Sequence, residues 1–218
     1  MLRGHGWPQE TMQTAIAHDT AMISEESYAI VGQYLKTYIL IEHKEGLFIV
    51  DQHAAHERIL YELFAHRFAE VATVQLLFPT LISLSHDDIR IIEPYLPLFV
   101  QNGIAIELFG VNQLKIQATP VHLKDASLDD LIKQTIGWIN EYKYLDEQQF
   151  IKKLHEKLRA QMACKAAVKA GDILTHAHMQ QLLDTLHKTE NRLTCPHGRP
   201  TGWLLSNHEI EKKFKRKL

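Results

Sequence analysis

Asp51, His53 and Glu57 fall within the run Asp51-Gln-His53-Ala-Ala-His56-Glu57-Arg-Ile-Leu-Tyr-Glu62. A carboxylate, an imidazole and a second carboxylate this close together can supply half the donors of a divalent-cation site. The elements that must position them are legible around the run. Leu47-Phe48-Ile49-Val50 reads as a buried strand ended by Asp51. The residues after it are helix formers without Gly or Pro, so a helix is expected to about Ala69. On that helix His53 and Glu57 are four apart and share a face, while His56 lies off it. Asp51 then falls at the N-cap, where a carboxylate oxygen takes a free backbone N–H. The competing reading is an ordinary capped helix with a solvated His and Glu.

Cys195-Pro196-His197 is the second stretch with chemistry. Pro196 fixes its own φ and biases Cys195 toward an extended backbone, so residues 195 and 197 tend to point the same way. A thiolate beside an imidazole is a pair that Zn²⁺ accepts. Gly198 permits a sharp turn, and Arg199 is placed to meet a phosphate or an acidic group. The alternative is a turn with an incidental Cys and His. Cys164, the other cysteine, sits among alanines, where it is either a small buried hydrophobe or a third soft ligand. No HExxH occurs, and His53-Ala-Ala-His56-Glu57 exchanges Glu and His relative to the inverted zincin pattern, which disfavours a zinc peptidase. Gly-rich phosphate loops and GxSxG are absent from the sequence.

The 218 residues are 45% hydrophobic and 23% charged, an ordinary globular composition with material for one large domain or two small ones. A formal net charge of -2 excludes a globally basic nucleic-acid binder, so contact with DNA requires a local feature or a partner. No apolar run approaches the ~18 residues of a membrane span, and the N-terminus carries no signal-peptide core. Two cysteines make no secreted disulfide framework, and a reduced, cytoplasmic protein is expected.

Residues 1–24 read as a linker or frayed end. Tyr28 to Ile41 carries strand character, strongest in Tyr38-Ile39-Leu40-Ile41, and forms a hairpin with the strand before Asp51. Val71 to Leu84 is apolar and holds Pro79, which belongs at a sheet edge; Gln75-Leu76-Leu77-Phe78-Pro79 is either that edge strand or a docking peptide. His86 to Asn102 is a helix broken by Pro94 and Pro97. Ile104–Leu108 and Gln113–Ala118 pair around Phe109-Gly110-Val111-Asn112. Ser127 caps a helix to about Asn140. From Asp146 a longer helix presents Phe150, Leu154, Leu158 and Met162 to a core and is expected to stop at Gly171. A helix over His176–Lys188, a strand over Thr201–Leu205 and a basic C-terminal helix follow. Strands and helices mix without a βαβ repeat, so the fold class is α+β.

The whole pattern resembles the C-terminal domain family of the DNA mismatch-repair protein MutL, in its bacterial, endonuclease-proficient branch. Asp51 to Glu62 fits the branch's DQHA-x2-E-x4-E pattern, and Cys195 to Pro200 its CPHGRP motif. Ala163-Cys164-Lys165 is similar to its ACR motif with Lys third, which keeps the charge and loses a bidentate contact. Gly32-Gln33-Tyr34 and Phe214-Lys215-Arg216 resemble two shorter family motifs. The resemblance implies two subdomains: a dimerisation subdomain with mixed sheet and helices from 25–74 and 172–218, and an inserted smaller α/β regulatory subdomain at 75–171. Residues 1–24 become a linker remnant, with the family's ATPase half absent.

The same resemblance implies a homodimer that nicks one strand of duplex DNA and works with a MutS-type mismatch-recognition protein. It implies metal ligands at His53, Glu57, Cys164, Cys195 and His197, with Zn²⁺ regulatory or structural and Mn²⁺ or Mg²⁺ supporting cleavage. Asp51 and Glu57 are the expected catalytic carboxylates, since phosphodiester hydrolysis uses cations to activate water and neutralise phosphoryl oxygens. Gln75, Leu76, Leu77, Phe78 and Pro79 resemble the family's sliding-clamp docking motif, which overrides the plain edge-strand reading. Glu62 is matched by pattern alone, with an i,i+4 pair to Arg58 as its modest role. The competing function is a non-catalytic dimerisation and clamp-adaptor module with structural zinc.

Overall fold

A computed structural model describes residues 28–66, 71–123 and 126–216. The linker reading of 1–24 and the last residues of the first expected helix, to Ala69, lie outside them. Along the chain come β1 (Ala29–Tyr34), β2 (Tyr38–His43), β3 (Gly46–Asp51), α1 (Gln52–His66), β4 (Thr73–Ser83), α2 (His86–Ile92) and α3 (Leu96–Gln101). Then follow β5 (Ala105–Phe109), β6 (Gln113–Pro120), α4 (Leu128–Tyr142), α5 (Glu147–Ala166), α6 (His176–His187), β7 (Gly202–Ser206) and α7 (Asn207–Lys213). Helices and antiparallel sheets make this an α+β protein.

The chain divides into two units, one built from residues up to Ile59 together with those from Val168 onward, the other from Leu60–Ala167. The division falls inside α1, earlier than the 74/75 boundary expected from the sequence, because Leu60 and Phe64 belong to the second unit's core.

The first unit is a four-stranded sheet in the order β1-β2-β3-β7. Every pairing is antiparallel, so the mixed sheet expected here is not of mixed direction: tight hairpins join β1, β2 and β3, and β7 returns against β3. Alternation places Ile39 and Ile41 of β2 and Phe48 and Val50 of β3 on one buried face. That face packs against Ala55 and Ile59 of α1 and against Met179, Leu182, Leu183 and Leu186 of α6. Gly46 opens β3 where a Cβ would lie 2.1 Å from the Leu205 carbonyl oxygen, so β7 can pair only with a residue lacking a side chain.

The second unit has a three-stranded antiparallel sheet, β4-β6-β5. Pro94 and Pro97 interrupt the 86–101 segment as the sequence predicts, with a 3₁₀ turn at Glu93–Tyr95 between α2 and α3. Ser127 and Asp146 cap α4 and α5 through the N–H groups of Asp130 and Gln149. The Phe150, Leu154, Leu158 and Met162 stripe is buried throughout. Truncating Leu154 to Ala would cost about 2–5 kcal/mol.

α5 ends at Ala166, before the Gly171 stop expected from the sequence. Ala167 turns extended at φ -67°, ψ 149°, and the Val168 N–H bonds to His56 Nδ1 instead of continuing the helix.

Candidate metal centre

β3 delivers Asp51 to the start of α1. Oδ1 of Asp51 accepts the N–H groups of His53 at 2.9 Å and Ala54 at 3.0 Å, the N-cap geometry its position predicts. Fixing the first turn fixes the face on which His53 and Glu57 follow one turn apart.

The Cys195 segment is a three-residue hairpin loop. The Gly198 N–H donates to the Cys195 carbonyl at 2.9 Å, and the Cys195 N–H donates to the Arg199 carbonyl at 2.8 Å. This is a turn with Pro196 in second place and a left-handed residue after it. Gly198 takes that place at φ +81°, and a Cβ there would meet nothing, so the requirement is for backbone freedom and not for space. An isolated bridge between Thr194 and Pro200 closes the loop.

α1 and this loop meet at Glu57. One ligand atom each from Glu57, Cys195 and His197 lie within 4.8 Å of one another. Donors around a tetrahedral Zn²⁺ are about 3.5 Å apart, from bond lengths of ~2.0–2.3 Å, so small shifts bring these three onto one cation. The set also fits chemically, with one thiolate, one imidazole and one carboxylate. Glu57 is fully buried, with His197 Nδ1 2.8 Å from Oε1 and Arg199 Nη2 3.2 Å from Oε2. A carboxylate at that depth needs cationic partners. The Arg199 guanidinium is held above its ordinary value first by its hydrogen bond to Cys195, against partial desolvation, and further by the charges of Cys195 and Glu57. Arg199 thus meets the site's own donors, the acidic-group option of the two the sequence leaves open.

His53 Nδ1 lies 2.9 Å from the Val168 carbonyl oxygen. His56 Nδ1 accepts the N–H of the same residue at 3.0 Å. Cys164 sits half-buried near the end of α5 in the second unit, beside buried Ala163, and neither cysteine is in a disulfide. Lys165, in the place of the family's Arg, pairs with Asp130 at 3.3 Å. Asp51 is seen as a cap, and both of its cap bonds use Oδ1.

Two supporting residues carry no role in the sequence reading. Gln52 is fully buried, and its Nε2 donates to the carbonyls of Lys36, Lys169 and Asp172 at 3.0, 2.8 and 3.2 Å. Gln33 Nε2 donates to Gln52 Oε1 and to the Asp172 carbonyl. Both glutamines lie inside the short motifs quoted above, the signal that pointed to them; their partners are distant in sequence and could not be read from it.

In the second unit, Gln75 to Pro79 fall on β4, an edge strand. Its register against β6 breaks between Gln75 and Thr80, so the intervening residues bulge from the ladder. Leu76 packs on the core, while Leu77 and Phe78 are 88% and 79% exposed. No helix among the described residues is long and apolar enough to cross a membrane.

Comparison with known proteins follows the same lines. The family described as the MutL C terminal dimerisation domain matches residues 31–174. A DNA mismatch repair protein MutL from Agathobacter rectalis is 37% identical over 211 residues, 94% of this chain and 32% of that protein. MutL proteins from Staphylococcus saprophyticus and Staphylococcus aureus are 36% and 40% identical over 87% and 86% of the chain, each match covering 28% of the relative. The chain spans about a third of the length of the curated relatives it matches. Matched by this family over most of its length and similar to these bacterial proteins at such identity, the chain belongs to the MutL C-terminal dimerisation domain family.

Proposed function

We propose that this chain is the metal-dependent endonuclease module of a mismatch-repair MutL, nicking one strand of duplex DNA as a homodimer docked on the replication sliding clamp. The observation that carries the reading is the convergence of Glu57, Cys195 and His197, from segments far apart in sequence, on one buried carboxylate. A thiolate with an imidazole favours Zn²⁺ over Mg²⁺, so Zn²⁺ is assigned to this set in a regulatory or structural role, with Mn²⁺ or Mg²⁺ supporting cleavage. His53 and Cys164 complete the proposed ligands.

A bound divalent cation would polarise the scissile phosphate and lower the pKa of an adjacent water. The chain's own part is positional. Glu57 and Asp51 supply the carboxylates, Asp51 through the oxygen its cap leaves over, and Arg199 stands half-exposed beside Glu57 where a phosphate oxygen can reach it. Homodimerisation is assigned to the sheet face opposite the first unit's core, which alternation gives to Leu40, Leu47, Ile49, Trp203 and Leu205. Clamp docking is assigned to the Gln75–Pro79 bulge, whose exposed Leu77 and Phe78 suit an apolar pocket. A MutS-type partner would act through the intact protein, in the bacterial cytoplasm at the nucleoid.

A second reading keeps dimerisation and clamp docking and makes the zinc purely structural. The full burial of Glu57 favours it, because closed sites suit structural zinc. Nicking of supercoiled plasmid in Mn²⁺, with and without clamp, separates the two. Wild type is expected to nick, and Glu57→Lys and Asp51→Asn to fall to background. Variants that nick like wild type overturn the catalytic assignment. A dimeric, zinc-loaded wild type that binds clamp and still leaves plasmid intact establishes the second reading.

A further inference from the structure

We propose that His56 is a positioning residue for the metal centre, acting on the ligand His53 through the backbone of Val168; this rests on the reading of His53 as a ligand. Val168 offers both of its backbone groups to α1. Its carbonyl oxygen lies 2.9 Å from His53 Nδ1, and its N–H donates to His56 Nδ1 at 3.0 Å.

The two bonds set opposite tautomers. A carbonyl only accepts, so His53 Nδ1 carries the hydrogen and Nε2 is left with the lone pair a cation needs. An N–H only donates, so His56 Nδ1 is bare and is already engaged. A ligand histidine whose other N–H is held by a carbonyl has a fixed ring orientation and is a stronger donor.

The Val168 carbonyl has to be held in turn. It lies in the segment between α5 and α6, which has no ladder of its own. The peptide plane after Val168 is fixed by His53 at its oxygen and by the Asp172 carboxylate, which accepts the Lys169 N–H at 2.7 Å. The plane before Val168 is fixed by His56. Gln52 and Lys36 tie down only the residues after it, through Lys169, Gly171 and Asp172. Without the His56 acceptor, the Val168 N–H loses its bond at the point where the chain leaves α5, the plane before Val168 is released, and Asp172 is left to orient the carbonyl on His53 from one side only.

The test measures Zn²⁺ affinity of the 218-residue chain by chelator competition. His56→Ala and His56→Phe remove the acceptor, and about tenfold weaker zinc binding is expected of both. His56→Asn, whose Oδ1 can replace Nδ1 as acceptor, is expected to restore most of the affinity. In a His53→Ala background, His56→Ala is expected to have no further effect, whereas a merely structural role would lower affinity by the same factor in both backgrounds. Zinc binding in wild type that is indifferent to His56, or an equal loss with and without His53, overturns this proposal alone. No zinc binding by wild type overturns the metal reading as well.

Discussion

Arg58 Nε donates to the carbonyl oxygen of Thr194, joining the turn of α1 after Glu57 to the residue before Cys195. Arg58 is itself buried, so this charge-assisted bond is shielded from water and holds the Cys195 loop against the helix that carries the other donors. Arg58→Ala should destabilise the first unit by about 2–3 kcal/mol, through the unsatisfied carbonyl and the lost packing, and weaken zinc binding at the same time. Denaturant unfolding and zinc competition measure the two effects; a variant with unchanged zinc affinity would show that the loop holds its place without Arg58.

Asp51 has two separable duties. Asp51→Ala should lose about 1 kcal/mol of stability, because both N–H groups at the start of α1 lose their acceptor. Asp51→Asn keeps a capping oxygen and should stay within a few tenths of a kcal/mol of wild type while abolishing nicking. Should Asp51→Asn unfold as readily as Asp51→Ala, any loss of cleavage would no longer report on the charge.

The β1–β2 hairpin turns at Leu35 and Lys36, with φ of 51° and 50°, and the Thr37 N–H donates to the Tyr34 carbonyl. Both central residues of the Tyr34–Thr37 turn are left-handed, a conformation favoured by Asn-Gly and strained for Leu-Lys. Replacing the pair with Asn-Gly should raise stability by about 1 kcal/mol while the Lys36 carbonyl bonds to Gly171 and Gln52 persist. An unchanged or lower unfolding midpoint would contradict it.

Burial holds the imidazoles of His122 and His155 below the ordinary histidine range, and Arg159 adds to the effect at His155. The folded state therefore takes up these protons less readily than the unfolded chain, whose value is about 6.5. Their contribution to stability is complete above that value and is lost as pH falls from it through the depressed folded values. A His122→Gln/His155→Gln double variant should show a shallower loss of stability than wild type between about pH 7.5 and pH 5.5. Parallel pH profiles would rule these histidines out as the source.

Leu77 and Phe78 stand out on the β4 bulge, and Leu76 turns inward. Leu77→Ser with Phe78→Ser should abolish clamp binding and change stability by no more than about 0.5 kcal/mol. Leu76→Ala should lower stability measurably. Retained clamp binding in the double serine variant would remove this segment from the interface.

Local chemistry was legible in the sequence wherever a residue acts on its own neighbourhood. Asp51 caps, Pro94 and Pro97 break a helix, the Phe150–Met162 stripe is buried, and Pro196 with Gly198 makes a hairpin turn that keeps Cys195 and His197 close together. What was not legible depends on partners distant in the chain. The end of α5 was expected at Gly171 because glycine is the local stop signal; the actual stop at Ala166 is followed by a bond from Val168 to His56. Gln33 and Gln52 fall within quoted motifs, yet what they do was not legible because their carbonyl partners lie on segments 36 and 169–172. Their backbone acceptors leave no mark in residue type.

The bond between His56 and Val168 also has a bearing on how tolerant this architecture is to change. It holds the two chain positions between which residues 60–167 depart and return, so the first unit meets that excursion as a loop already closed at its neck. Lengthening a flexible closed loop is cheap, at about 0.6 kcal/mol for each doubling. Additions within the excursion are therefore compatible with an unaltered first unit.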